Sequence, residues 1–246
     1  MNRVCVITVC FNARADLALT LASVRSQRYE ALTHIVQDGG STDGTIELLQ
    51  ADRSEMSRWV SEADGGIYDA MNKAAARCPD DSWVIFLNAG DRFASDDILQ
   101  RLSPLLESDA QFVFGDVAIR GNGGVRTLPA RRNARLEMPG CHQSTLVRAS
   151  LLKTQPFDTS YRVGADFEFY LRTTRGRPRP AFFDGTIAEI APEGFSAANE
   201  GLLRRDYVSA LKRHRGVIPA AAWLSRRKLR ALALRLRGSL QAGAPR

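Results

Sequence analysis

The chain has 246 residues, 44% hydrophobic and 25% charged, with a formal net charge of +7. That length carries one substantial core, and the composition excludes a disordered or fibrous protein. The apolar run from Val4 to Phe11 falls far short of the ~20 residues of a spanning helix. It also lacks the cationic flank and small-residue cleavage pattern of a signal peptide, so a cytoplasmic location is expected.

The charge is unevenly spread. From Arg204 onward twelve Lys and Arg face one acid, Asp206, a net +11 that leaves −4 on the first 203 residues. A nucleic-acid binder working through this segment is disfavoured, because aromatic stacking positions and a recognition module are missing. Cys5, Cys10, Cys78 and Cys141 show no C-x-x-C pairing. Cys5 and Cys10 read as small buried hydrophobes, whereas Cys141 directly precedes His142.

In chain order, Val4–Phe11 predicts a buried strand and Asp16–Gln27 an amphipathic helix, with Leu17, Leu21 and Val24 at helical spacing. His34–Gln37 follows as a strand. Ser41 offers an N-cap for a helix through Ile46, Leu48 and Leu49. Trp59–Ser61 is a short strand, and a helix from Gly66 carries Tyr68, Met71 and Ala75. Trp83–Leu87 is the fourth strand and Asp96–Glu107 the helix after it. This alternation predicts an α/β fold with a mostly parallel sheet and helices on both faces. Beyond residue 110 the character changes. Gln111–Arg120 and Val125–Leu128 predict a hairpin around a glycine-rich turn, Arg131–Gly140 a basic loop, Asp166–Arg175 a helix and Ala181–Ile190 a strand.

Two strands end in carboxylates: Ile35-Val36-Gln37-Asp38-Gly39-Gly40-Ser41 and Val84-Ile85-Phe86-Leu87-Asn88-Ala89-Gly90-Asp91. Carboxyl ends of parallel strands are where such sheets bind ligands, so a charged ligand is expected there. With Ile7-Thr8-Val9-Cys10-Phe11-Asn12, Ala63-Asp64-Gly65-Gly66-Ile67-Tyr68-Asp69, His142-Gln143-Ser144 and Gly164-Ala165-Asp166-Phe167-Glu168, the set resembles the family 2 inverting glycosyltransferases of the GT-A fold. The likeness is to bacterial exopolysaccharide enzymes of the colanic-acid type, and it covers about residues 3 to 196.

The resemblance implies a catalytic domain over residues 1–200, with a donor half to about 110 and an acceptor half to about 200, then a basic helical tail over 201–246. It implies transfer of a sugar, with inversion, from a nucleotide-sugar donor. A UDP-sugar is favoured and a GDP-sugar is the alternative. It makes Asp38 the nucleobase contact, with Val9 and Phe11 lining the base pocket, although an aspartate there also caps Gly-Gly-Ser turns, and Asp43 is the better candidate to cap the following helix. Asp64, Asp69 and Asn88 become donor-side residues, Asp69 serving equally well as a helix-dipole partner. Asp91 becomes the carboxylate under a divalent metal, Mn2+ or Mg2+, with Asn88 and Gly90 standing where relatives often carry acids. His142 is read as a metal ligand or acceptor contact and Gln143 as an acceptor contact. Asp166 is the implied general base, preferred to Glu168, which points elsewhere two positions along a helix.

The expected acceptor is a saccharide, lipid-linked in this reading. Leu202–Arg213 and Trp223–Leu240 read as basic amphipathic helices able to lie on an anionic membrane surface or to pack on the domain. A non-catalytic sugar-nucleotide or polysaccharide-binding module on the same fold is the alternative function.

Overall fold

The computed structural model describes residues 2–52, 54, 57–121, 123–132, 134, 136–174, 179–191, 198–227 and 229. The first half forms β1 (Val4–Cys10), α1 (Arg14–Arg25), β2 (Leu32–Asp38), α2 (Thr45–Ala51), β3 (Ser57–Ser61), α3 (Ile67–Ala75) and β4 (Trp83–Phe86). The second forms β5 (Arg92–Phe93), α4 (Ile98–Leu106), β6 (Phe112–Gly121), β7 (Gly124–Leu128), β8 (Thr145–Arg148), α5 (Ala149–Thr154), α6 (Ala165–Thr174), β9 (Pro180–Ile190) and α7 (Glu200–Arg215). All nine strands share one sheet, ordered β3-β2-β1-β4-β8-β6-β9-β5 with β7 paired to β6.

The sheet is mixed, which corrects the mostly parallel expectation. β3, β2, β1 and β4 are parallel. β8 then runs antiparallel to both β4 and β6, β9 runs parallel to β6, and β5 pairs antiparallel with β9. The reversal comes where helical crossovers give way to the β6–β7 hairpin and short loops, which join antiparallel strands.

Side-chain alternation explains why the sheet is covered on both faces. Cys5, Ile7 and Val9 join the core beneath α3, α5, α6 and α7, while Val4 and Val6 join the core under α4. Each fully buried aliphatic side chain contributes about 1.5–3 kcal/mol. A third cluster ties α1 to α2 through Leu17, Leu21 and Leu49.

Ser41 does not cap α2. That helix begins at Thr45 behind Gly44, whose φ of 93° suits glycine. Asp43 supports the start instead, accepting the Thr45 amide (3.1 Å) and the Arg14 amide (3.1 Å), so one carboxylate pins the first turns of α1 and α2.

The proposed tail is in part core. Tyr207 of α7 stacks on Phe167 at 4.2 Å, and Ala210 and Leu211 are fully buried. Residues 217–227 are again helical, with Trp223 buried against Tyr207 at 5.4 Å. The packing reading therefore holds for Trp223 and Leu224; Leu232 and Leu236, and the rest of the expected helix to Leu240, lie outside the described residues. Among the described residues no helix is long and apolar enough to cross a membrane.

Candidate active site

Register sets the floor of the cleft. Cys10, Asp38 and Ser61 are aligned partners at the ends of β1, β2 and β3. Asp38 is fully buried there, and both its oxygens are used within the protein. One accepts the Gly40 amide (3.0 Å), the Ser41 amide (2.9 Å) and the Ser61 hydroxyl (2.6 Å); the other accepts the Ser41 hydroxyl and the Cys10 thiol. Burial raises its pKa, but these donors outweigh it and hold the carboxyl below its ordinary value. In this structure Asp38 anchors the Gly39–Ser41 turn, with both oxygens engaged by donors of the protein.

The exposed part of this edge belongs to other residues. Val9 is a buried strand residue, while Phe11 beyond it is 63% exposed. A Cβ at Gly39 would lie 2.8 Å from Asp64 Oδ2 and 3.4 Å from the Phe11 ring, so Phe11, Gly39 and Asp64 close on one another. The other oxygen of Asp64 accepts the Gly66 amide at 2.8 Å. Asp69 is committed to structure: it accepts the Gly65 amide at 2.9 Å and pairs with Lys73 at 3.2 Å, one helical turn on.

The second group forms past β4. Asp91 is 7% exposed and its carboxylate accepts the Asn88 amide at 3.1 Å. Burial pushes this carboxyl up to about 6, against the pull of His142, the Asn88 amide and Gln143. Gly90 takes a φ of 97°, which a side chain would strain, and this turns the chain back so that Asp91 faces Asn88. The Thr20 hydroxyl locks the turn, donating to the Asp91 carbonyl at 2.8 Å and accepting the Gly90 amide at 3.0 Å.

β8 brings in the acceptor-side residues. Because it runs antiparallel to β4, the 3-10 turn His142–Ser144 that precedes it sits beside the end of β4. The Asn88 amide nitrogen donates to His142 Nε2 at 3.3 Å, while His142 Nδ1 stands 3.7 Å from Asp166 Oδ2. Asp166 opens α6. Its Oδ1 accepts the Phe167 amide (2.8 Å) and lies 3.4 Å from the Tyr68 hydroxyl, which donates to the Val163 carbonyl at 2.7 Å, and this leaves Oδ2 toward His142. Glu168, the neighbouring competitor, is fully buried and paired with Arg172 at 3.0 Å and His214 at 2.8 Å. Cys141 has its thiol pushed up to about 11 by burial and by the charges of Asp166 and Asp91, so it is a protonated neighbour of the cleft.

Asn88, Asp91, His142, Gln143 and Asp166 therefore converge, while buried Asp38 and partly exposed Asp69 each hold a loop. Gln143 favours the ionised form of Asp91 and so is placed beside that carboxylate. Sequence reasoning overlooked Thr20, Tyr68 and Asp206. Thr20 is a buried hydroxyl on the apolar face of α1, between Leu17 and Leu21, and that misfit was the available signal. Asp206, the single acid of a basic segment, accepts the Val163 amide (2.9 Å) and the Gly164 amide (3.3 Å), fixing the loop before Asp166.

For a divalent cation the protein supplies a partial set. Among the described residues no three His, Cys, Asp or Glu side chains cluster to hold a metal. The Asp91 carboxylate lies beside His142, however, and the buried Asn88 Oδ1 lacks a hydrogen-bond partner. An oxygen-rich, open set completed by a diphosphate and water suits a hard cation.

Comparison with known proteins matches this arrangement to a family. Residues 5–169 match the model of glycosyl transferase family 2. An uncharacterized glycosyltransferase of Mycobacterium tuberculosis is 36% identical over 179 residues, covering 69% of this chain and 68% of the relative. A PGL/p-HBAD biosynthesis glycosyltransferase of Mycobacterium bovis is 29% identical over 180 residues, covering 68% of each. The fold is shared with the mannosyltransferase PcManGT of Pyrobaculum calidifontis, solved with GDP-Man and Mn2+, at a TM-score of 0.66 and 18% identity, over 98% of this chain and 80% of that one. The chain belongs to glycosyl transferase family 2.

Proposed function

We propose that this protein transfers a hexose, with inversion, from a nucleotide-sugar donor to a saccharide acceptor, lipid-linked and destined for a cell-surface polysaccharide. The observation that carries the reading is the meeting of the Asn88–Asp91 turn with His142 and Asp166 across the β4–β8 pair. It unites an acidic strand end suited to a diphosphate with a separate carboxylate free on one oxygen.

In this reading the base of the donor lies against Phe11, Gly39 and Asp64, where the carboxylate accepts from a ring N–H. The buried Asp38 keeps the floor of that pocket rigid. The diphosphate lies over the Asn88–Asp91 turn. Asp91 and His142 would hold a divalent cation, Mn2+ or Mg2+, which offsets negative charge on the departing nucleoside diphosphate. Asp166 Oδ2 accepts the acceptor hydroxyl's hydrogen bond and takes its proton as the oxygen attacks the anomeric carbon. The new C–O bond forms opposite the bond to phosphate, whose electron pair leaves with the diphosphate. The Phe167 amide holds the other Asp166 oxygen, with the Tyr68 hydroxyl beside it, so the base is oriented before the acceptor arrives.

A UDP-sugar remains the favoured donor, on the resemblance of the motifs, with a GDP-sugar as the alternative. The lack of a three-ligand cluster among the described residues favours the second reading, a non-catalytic module that binds sugar nucleotides. Calorimetric titration of UDP and GDP, with and without Mn2+, tests donor binding and chooses the nucleotide. Release of nucleoside diphosphate from a panel of UDP- and GDP-sugars with saccharide acceptors, with the anomer of the product read by NMR, separates the two readings. Binding without turnover selects the module, and a product of retained configuration overturns the in-line role of Asp166.

A further inference from the structure

The helix over residues 217–227 has two unlike faces. Ala220 and Trp223 are buried in the core, whereas Val217 is 67% and Ile218 83% exposed. Leu229, still helical, is 65% exposed and lies eleven residues beyond Ile218, three turns along the same face. Among the described residues six large hydrophobics are exposed, and three of them fall in this short segment.

The charges around them have one sign. Lys212, Arg215 and Arg226 are exposed, and among the described residues they have no ion-pair partner. The nearby acids are already engaged: Asp158 with Arg213 at 3.1 Å, Glu200 with Arg227 at 2.5 Å, and Asp206 buried on backbone amides. We infer that the Gly216 corner, with Val217 and Ile218 at its tip and Lys212, Arg215 and Arg226 around it, docks on an anionic phospholipid surface. Apolar side chains enter the acyl boundary while cations meet the headgroups, and the two effects reinforce each other. A second copy of the chain is a poorer occupant, because pairing this face with itself would set cation against cation.

This surface differs from the one the sequence pointed to. Trp223 and Leu224 pack on the domain, so the contact moves to the opposite face of the same helix. α7, which ends at this corner, also carries Asp206, which holds the loop leading to Asp166. A docked corner would hold the acceptor side of the cleft near the bilayer.

The test is sedimentation of the full chain with phosphatidylcholine vesicles, with and without about 30 mol % phosphatidylglycerol. The wild type is expected to bind the anionic vesicles and to lose affinity as salt rises. The double variant Val217→Ser/Ile218→Ser should bind at least about tenfold more weakly, since two apolar side chains no longer insert. Val125→Ser, which alters an exposed valine at a distant hairpin, should bind as the wild type does. Unchanged thermal unfolding and donor affinity in the double variant would locate the loss at the surface. Equal partitioning of the double variant and wild type would overturn the assignment, as would failure of the wild type to bind anionic vesicles. Light scattering that finds a wild-type dimer and a monomeric double variant would also overturn it, by giving the face to self-association. None of these readouts needs turnover, so the surface stands or falls apart from the proposed reaction.

Discussion

His142 Nε2 accepts a hydrogen bond from the Asn88 amide while its Nδ1 stands 3.7 Å from Asp166 Oδ2. One imidazole thus joins the end of β4 to the start of α6. The acceptor role of Nε2 places a neutral ring's proton on Nδ1, facing the carboxylate proposed as the base, so His142 would ligate a metal only by exchanging the Asn88 contact at Nε2 for it.

Asp166→Asn should leave donor binding intact and lower transfer by about 10²–10⁴-fold, the usual worth of a positioned base. Calorimetry and a product assay on the same preparation decide the point. Near-wild-type turnover would move the base elsewhere.

Asp91→Ala should abolish metal-dependent nucleotide binding, whereas Thr20→Val should weaken it indirectly. The Thr20 hydroxyl touches no expected ligand but serves the Gly90 amide and the Asp91 carbonyl. The Gly90 amide keeps the Asp16 carbonyl at 3.1 Å, but the Asp91 carbonyl loses this donor, at a cost of about 1–3 kcal/mol visible as a lower thermal midpoint together with weaker nucleotide affinity. Equal affinity in wild type and Asp91→Ala would sink the metal assignment.

Gly39→Ala tests the base pocket. The new methyl would sit 2.8 Å from Asp64 Oδ2, so Asp64 must swing away while the core is untouched. Nucleotide affinity is expected to fall severalfold with little change in stability. A variant that binds like wild type would show that the base lies elsewhere.

Asp206→Asn should lower kcat while sparing donor affinity. The carboxylate accepts two amides ahead of Asp166, and an amide side chain accepts them more weakly. An effect confined to thermal stability, with kcat unchanged, would reduce Asp206 to packing.

Stability should respond to His34 in mild acid. This imidazole is fully buried beside Thr8, and burial lowers its pKa to about 4 from the ordinary 6.5. The unfolded chain therefore binds the extra proton first, and stability falls as pH drops from 6.5 toward 4, by up to about 3 kcal/mol. Denaturant titrations of wild type and His34→Gln should differ in slope across that window and run parallel above it.

The donor half was readable because β1 and β4 are apolar runs and α1 and α3 carry apolar stripes, in alternation with β2 and β3. The second half was less so: a two-residue β5 has no signature, and nothing in β8 announces that it runs against β4. Likewise the motifs singled out Asp91, His142 and Asp166, which the fold brings together, yet the inward turn of Asp38 was not legible. One carboxylate after a strand can face a ligand or cap its own turn, and the choice depends on Ser61, a partner from a different strand. For Trp223 the sequence left membrane contact and packing on the domain both open for a similar reason, since only Tyr207 and Phe167 show what covers it.

The reversal at β4 and β8 also bears on how the protein folds. β1 to β4 assemble through successive helical crossovers, but Val84 pairs with Val147, about sixty residues farther on. Contacts so distant in sequence close slowly, after local units have formed. The nucleotide pocket at β1–β3 is therefore expected to mature before the acceptor half docks and delivers His142 to Asn88. During refolding, nucleotide-binding competence would precede the complete cleft, and a nascent chain lacking β8 would hold only half of it.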